Sequence, residues 1–177
     1  MEIHRYEKLW FAAALVLIIA FIGTVTYGAV GAGISMIDDE GGTIDPNTLG
    51  EHERFGDPGV YESDDPDVDY EVNMVAFHPA YNPGTVEVPE GSVVEFYITS
   101  RDVIHGYEIV GTNVNTMIIP GQVSQFTVEF DEPKEYGVLC NEYCGSFHHE
   151  MSGQVIVVEE GEWNPDEMLD GRDGGES

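Results

Sequence analysis

Two patterns of hydrophobic positions divide the chain, an unbroken apolar run near its start and alternating positions in its second half. The apolar run covers residues 10–30 and contains no charged side chain. At helical rise it would span roughly 30 Å, the thickness of a bilayer core. No polar stripe interrupts it, as one would in a soluble amphipathic helix. We therefore predict a membrane anchor helix within residues 1–33.

Alternating apolar and polar positions begin near Asp69 and continue to about residue 160. Turn signals such as Asn82-Pro83-Gly84 and Pro120-Gly121 separate short segments of this kind. The predicted strands are 70–78, 85–90, 92–99, 105–110, 115–120, 124–130, 135–140 and 153–159. Short strands at this spacing predict an all-β domain, an antiparallel sandwich or barrel, at residues 69–160.

The remaining segments are strongly acidic. Between Asp38 and Glu71 there are 13 carboxylates against Arg54 alone. Such a composition buries too little apolar surface to order a segment independently. We therefore predict a linker at residues 34–68 and a disordered tail at residues 161–177.

Acidic side chains outnumber basic ones along the whole chain, 34 against six, and the net charge is −28. This balance argues against nucleic-acid binding, because phosphate contacts need Lys and Arg. It is typical of salt-adapted proteins, since at about 1 M salt the Debye length falls to about 3 Å. We expect a halophilic source, and an acidic docking face for a basic partner is the alternative.

The charges around the apolar run predict its orientation. Arg5 and Lys8 precede it, and the next basic residue is Arg54. The positive-inside rule then places the N-terminus in the cytoplasm and the β domain on the outer face of the cell membrane. A cleaved signal peptide is the alternative, but its apolar region usually has about 7–15 residues. A retained, single-pass anchor among membrane lipids is the favoured interpretation.

The candidate chemistry lies in one segment of twelve residues between two predicted strands. It contains two thiols, an imidazole and a thioether at Cys140, Cys144, His148 and Met151. These groups are the ligands that suit copper. A loop on a rigid scaffold is also where metal sites are usually built.

Four interpretations of this loop compete. A disulfide between Cys140 and Cys144 would close too small a loop to restrict the unfolded chain much. Structural zinc has no use for Met151. A mononuclear blue copper site needs one Cys, two His and an axial Met, which leaves the second Cys unexplained. A dinuclear site bridged by both thiolates needs a second His from elsewhere. The candidates for that residue are His78, His105 and His149.

The spacing C-x3-C-x3-H-x2-M resembles the dinuclear copper (CuA) loop of cytochrome c oxidase subunit II. The flanking sequence is similar to the same family, most of all to the short, single-helix subunit II of ba3-type oxidases. The resemblance covers residues 70–160 and the lone N-terminal helix. The segments that carry it are Asp102-Val103-Ile104-His105-Gly106-Tyr107, Gly111-Thr112-Asn113-Val114-Asn115, Pro120-Gly121 and Tyr136-Gly137-Val138-Leu139-Cys140-Asn141-Glu142-Tyr143-Cys144-Gly145.

The resemblance implies a cupredoxin-like Greek-key barrel and a set of ligands for two copper ions. Cys140 and Cys144 would be the bridging thiolates, and His105 and His148 would each bind one copper. Met151 and the backbone carbonyl of Glu142 would be the weak ligands. In many subunits II the side chain at the Glu142 position also helps bind magnesium against subunit I. The ba3-type members carry an amide there, so an interface magnesium and a purely carbonyl role both stay open.

The resemblance also implies a function in electron transfer rather than bond making. The chain would accept electrons from a cytochrome c or a small blue copper protein and pass them to the haem-copper subunit I, where oxygen is reduced. An apolar docking face for the donor would include Phe77, Tyr81 and Phe147, and packing in the core is the alternative for these three side chains. A membrane-anchored copper carrier or assembly protein is the alternative function. The electron-transfer domain of a nitrous oxide reductase shares the loop but needs a large additional catalytic domain.

Overall fold

The computed structural model describes residues 4–31 and 41–163, which form two compact units. The first unit contains one helix, α1 (Arg5–Gly31). Its segment Arg5–Tyr27 is long and apolar enough to cross a membrane, as predicted, and its described side chains are almost all exposed to the surroundings. Residues 164–177, most of the predicted tail, and residues 32–40, the end of the anchor and start of the linker, lie outside the described residues.

The second unit is a sandwich of two five-stranded sheets. Every predicted strand is present, with two short additions, β1 and β3. In chain order the strands are β1 (Gly59–Glu62), β2 (Tyr70–Phe77), β3 (Ala80–Asn82), β4 (Thr85–Pro89), β5 (Ser92–Ser100), β6 (His105–Ile109), β7 (Asn115–Ile118), β8 (Ser124–Phe130), β9 (Lys134–Leu139) and β10 (Ser152–Val158). One sheet has the order β1-β2-β5-β8 with β3 also on β2, and the other has the order β4-β10-β9-β6-β7.

The pairing is mixed, which corrects the prediction of an antiparallel sandwich. β2 runs parallel to β5, and β4 runs parallel to β10. Parallel neighbours need a crossover connection. In both pairs the chain visits the other sheet between the two strands, so each connection crosses the sandwich. The local alternation of apolar and polar side chains predicts where the strands are, but it does not predict how they are ordered and paired in the sheets.

Aromatic rings fill the space between the sheets. Phe96 of β5 stacks on Phe126 of β8 with ring centroids 5.0 Å apart, and Tyr107 of β6 packs against both rings. All three side chains are buried. Tyr107 belongs to the strand that begins at His105, so this cluster anchors the start of β6 in the core.

The segment predicted as an acidic linker is partly folded onto the domain. β1 pairs with β2, and a 3-10 helix spans Leu49–Glu51. Leu49 and Phe55 are each only 3% exposed and form a second apolar cluster with Val75. The guanidinium of Arg54 lies 3.7 Å from the centre of the Tyr97 ring. Although the segment is polar on average, these few apolar side chains order it, because they pack on a face of the sheet formed by β2 and β5.

Phe55→Ala should destabilise this arrangement. Loss of a buried Phe side chain costs about 3–5 kcal/mol when the site cannot collapse, and urea unfolding of the full chain in detergent measures the loss. Glu53→Ala, an exposed neighbour, is the matched control and should change the free energy of unfolding by less than about 0.5 kcal/mol. Equal stability of the two variants would contradict the packing described for this segment.

Candidate metal centre

Strand pairing closes the cysteine-containing loop. β9 and β10 are antiparallel neighbours, and Leu139 lies opposite Ser152. The backbone N–H of Cys140 donates to the carbonyl of Met151 at 3.3 Å. Both ends of the loop therefore leave the same pair of strands, and its first and last candidate ligands lie side by side.

Three sulfur atoms meet inside this loop. The Sγ atoms of Cys140 and Cys144 are 3.8 Å apart, and the Sδ of Met151 is 3.7 Å from the Sγ of Cys144. A disulfide has a length of about 2.05 Å, so both cysteines are free thiols. All three side chains are at least nine-tenths buried. The structure thus brings together soft donors away from water.

His105 reaches the sulfur atoms from the start of β6. Its side chain is fully buried, and one ring nitrogen together with the Sγ atoms of Cys140 and Cys144 forms a group within 4.8 Å. The Nε2 of His105 lies 2.8 Å from an oxygen of Asp102. A carboxylate only accepts, so the ring proton is on Nε2 and the lone pair is on Nδ1.

The Nδ1 atom of His105 is buried and has no hydrogen-bond partner among the residues that the structure describes. An unpaired buried polar atom costs free energy comparable to a lost hydrogen bond. A cation bound between this nitrogen and the two thiols would satisfy it. The donor set therefore fits a metal ion, and its sulfur content fits copper best.

His148 supplies a second imidazole on the outer side of the thiols. It lies in a 3-10 helix, His148–Glu150, and its Nδ1 is 3.5 Å from the Sγ of Cys144. Its ring packs edge-on against exposed Tyr143 at 5.6 Å. His148 is only partly buried, so the centre is closed on the core side and thinly covered on the surface side.

Glu142 contributes its backbone to the centre. Its carbonyl oxygen accepts from the Cys140 thiol at 3.2 Å, and its side chain is exposed. The carbonyl oxygen thus lies beside the Cys140 thiol, and its role as a weak ligand stays a prediction. These contacts do not test the interface magnesium, which stays a prediction.

Two titrating groups have shifted pKa values for clear reasons. Burial and the neighbouring Cys140 thiol raise the pKa of Cys144 to about 11. Burial alone would raise the pKa of Asp102. Hydrogen bonds from N–H groups of His105, His78 and Val103 have a larger combined effect, so the pKa of Asp102 lies below its usual range. Asp102 is therefore an ionised acceptor that orients His105, as carboxylates do for metal-binding histidines elsewhere.

Of the three side chains considered for the docking face, that of Tyr81 packs in the core instead. It is 5% exposed, and its hydroxyl donates to the carbonyl of Gly106 at 2.5 Å. The alternation of β3 turns its ring inward against Tyr107. Phe147 lies in the loop and is 59% exposed, and Phe77 is half-buried with the guanidinium of Arg101 5.4 Å from its ring centre.

Sequence reasoning missed two residues that support the centre, Asp102 and Gly106. Asp102 stands three positions before a candidate His, which is a weak signal by itself. Gly106 lies opposite Asn141, and a Cβ atom there would lie 2.8 Å from the Asn141 backbone nitrogen and would overlap its side-chain oxygen. Only glycine allows β6 this close to the loop.

The chain is similar to several known proteins. Residues 70–160 match the family described as cytochrome C oxidase subunit II, periplasmic domain. The cytochrome c oxidase subunit 2 of Thermus thermophilus is 36% identical over 164 residues, 89% of this chain and 94% of the relative. Another subunit 2 sequence from the same species is 40% identical over 116 residues, 66% of this chain and 86% of the relative.

One solved structure is similar over most of the chain. A chain from the cryo-EM structure of a heme-copper terminal oxidase dimer has a TM-score of 0.67 and 33% identity, and the match covers 87% of this chain and 100% of that chain. The predicted all-β, cupredoxin-like fold with one N-terminal helix is thereby confirmed. The helix and the periplasmic-type domain indicate a single-pass, membrane-anchored protein.

Gly106→Ala should displace the loop at Asn141. Overpacking of this kind typically costs about 1–3 kcal/mol, and faster hydrogen exchange at the Asn141 and Glu142 amides would locate the change. Gly137→Ala in β9 is the matched control, because a Cβ atom there meets nothing within 4 Å. If Gly106→Ala were as stable as Gly137→Ala, the close approach of β6 to the loop would be wrong.

Proposed function

This chain belongs to the cytochrome c oxidase subunit II family, and on that premise we propose that it accepts electrons at a dinuclear copper centre for the oxygen-reducing subunit I of a haem-copper oxidase. The observation that carries the proposal is the pair of buried, free thiols 3.8 Å apart with the unpaired Nδ1 of His105 beside them. Two thiols at this separation are suited to binding the same two ions.

The donor set supports two ions rather than one. A single blue copper ion would take one Cys, two His and an axial Met, which leaves one of the two adjacent thiols without a role. Two ions bridged by both thiolates use every donor. The proposed ligands are His105, Cys140, the carbonyl of Glu142, Cys144, His148 and Met151.

When bound, the copper pair would supply one-electron chemistry, and the protein supplies a fixed set of ligands. β6, β9 and β10 hold the donors from three strands of one sheet, and Asp102 fixes the ring of His105. A rigid, largely buried site of this kind would keep the ligand positions similar in both oxidation states. The surrounding burial and hydrogen bonds then tune the potential.

We infer that the domain lies on the outer face of the membrane, with the N-terminus in the cytoplasm. Arg5 and Lys8 before the apolar segment support this orientation. Electrons would then reach the centre from outside and leave it toward subunit I in the membrane.

The burial of the donors argues against the alternative function of a copper carrier. Carriers expose their ligands so that a partner can exchange the metal. Here His105 is fully buried, and Cys140, Cys144 and Met151 are nearly so. A centre that retains its copper during electron transfer fits this arrangement better.

The proposed donor is a cytochrome c or a small blue copper protein that docks on the apolar surface that the loop itself presents. Phe147 and Tyr143 are 59% and 81% exposed there, and such aromatic side chains are favoured contacts at interfaces. The halophilic source stays a prediction from the net charge of −28. At high salt, charge steering would be screened and apolar contact would matter more.

Cys144→Ser tests the bridging role. The copper-loaded full chain should lose the electron paramagnetic resonance signal of an electron shared by two copper ions, because Ser cannot supply the second thiolate. Circular dichroism should show the sandwich still folded. His149→Ala, an exposed loop neighbour, is the control and should keep the signal. A wild-type spectrum from Cys144→Ser would refute the bridging assignment.

Phe147→Ala tests the docking surface. Truncation of a central apolar contact should slow reduction by an external donor about tenfold, which corresponds to about 1.4 kcal/mol, while the copper spectrum stays unchanged. Val110→Ala is the control, because Val110 is 44% exposed and follows the last residue of β6, away from His105. Stopped-flow rates that are equal for the two variants would place the donor elsewhere.

A further inference from the structure

The imidazole of His78 contacts the loop between β9 and β10 that carries the proposed ligands. His78 directly follows β2, and its Nε2 is in hydrogen-bond contact with the carbonyl oxygen of Ser146. A carbonyl only accepts, so the His78 ring must donate from Nε2. The contact joins positions 68 residues apart in the sequence, and it falls midway between Cys144 and His148.

The backbone of the same residue contacts the carboxylate that orients His105. The backbone N–H of His78 donates to Oδ2 of Asp102 at 2.8 Å, while Oδ1 of Asp102 accepts from His105 at 2.8 Å. One carboxylate and one imidazole therefore connect the His105 ring to the loop that carries His148. None of these three hydrogen bonds involves a thiol.

The loop contains a strained residue at the point where this support would be needed. Phe147 has φ 61° and ψ 13°, the left-handed region that residues with a side chain rarely adopt. Such a conformation persists only when the surrounding structure holds it. Phe147 lies directly between Ser146, which His78 contacts, and His148.

The packing at Gly145 shows how closely the His78 ring fits. Gly145 has φ 129°, and a Cβ atom there would lie 3.3 Å from Cδ2 of the His78 ring. The ring therefore lies flush against the loop backbone. Two further backbone bonds complete the turn, from His148 N–H to the carbonyl of Gly145 at 3.3 Å and from Glu150 N–H to the carbonyl of Phe147 at 2.8 Å.

We propose that His78 is a positioning residue whose Nε2–H, bonded to the Ser146 carbonyl, fixes the loop conformation that presents His148 to the thiols. The role rests on the proposed function, since it concerns His148 as a ligand. It differs from the ligand role considered for His78 on sequence grounds, because the donating nitrogen is committed to a carbonyl.

Two substitutions separate the hydrogen bond from the packing of the ring. His78→Phe keeps an aromatic ring against Gly145 but has no donor, whereas His78→Gln keeps an N–H donor without the ring. His149→Ala is the control for a general effect of removing an imidazole, since the His149 side chain is 78% exposed. All variants are made in the full chain in detergent.

The first measurement uses the metal-free chain, so it does not depend on copper. Amide hydrogen exchange at His148 and Glu150 should be about fivefold faster in His78→Phe, the loss expected for one hydrogen bond. His78→Gln and His149→Ala should stay close to the wild type. Unchanged exchange in His78→Phe, or equally fast exchange in His78→Gln, would overturn the proposal.

The second measurement uses the copper-loaded chain. A competing copper(I) chelator should remove copper about fivefold faster from His78→Phe than from the wild type or from His78→Gln. The resonance spectrum of His78→Phe should also show unequal coupling to the two copper nuclei. If the wild type itself holds no copper pair, the proposed function fails, and the exchange measurement still decides the role of His78 in the loop.

Discussion

The pairing of β9 with β10 is the constraint on which the metal centre depends. Leu139 lies opposite Ser152, so the twelve residues between them must leave and re-enter the sheet at one point. β6 joins the other side of β9, with Glu108 opposite Leu139. The same register, continued along both strands, brings Gly106 to Asn141. These pairings place His105 against the loop although 35 positions separate it from Cys140. The Tyr107 ring in the aromatic core keeps β6 in that position.

Burial and hydrogen bonding have different effects on the ionisable groups of the site. Burial raises the pKa of Cys144, so the thiol keeps its proton at neutral pH unless a cation replaces it. Asp102 stays ionised because three N–H groups donate to it, and it fixes the ring proton of His105 on Nε2. The lone pair on Nδ1 is then available on the thiol side. These groups are thus arranged as a metal site would need, which would favour small changes in ligand position during the proposed electron transfer.

Local patterns in the sequence predict the local features of the structure. The apolar run at residues 10–30 gives α1, and period-two alternation gives all eight predicted strands, because each depends on neighbouring positions alone. The spacing of Cys140, Cys144, His148 and Met151 predicts the loop for the same reason. The choice of His105 over His78 needs the pairing of β6 with β9, which spacing does not contain. The resemblance to a family, not the residues alone, made that choice.

Features that depend on distant contacts were not predicted from the residues. Leu49 and Phe55 fold an acidic segment onto the sheet because Val75 and Tyr97 offer an apolar face, and average composition hides two such side chains. The parallel pairs β2–β5 and β4–β10 depend on the path of the chain across the sandwich. Whether Tyr81 lies on a docking face or in the core depends on contacts with distant residues, which its neighbours in the sequence do not indicate. In the structure its hydroxyl bonds to Gly106 and supports β6 from the core.

We propose that Cys140 and Cys144 together hold two copper ions, which would share one electron. Metal analysis combined with electron paramagnetic resonance of the copper-loaded, full-length wild type tests it most directly. We expect two coppers per chain and a hyperfine pattern from one electron coupled equally to two copper nuclei. One copper per chain with the four-line pattern of a single nucleus, or zinc in place of copper, would contradict it.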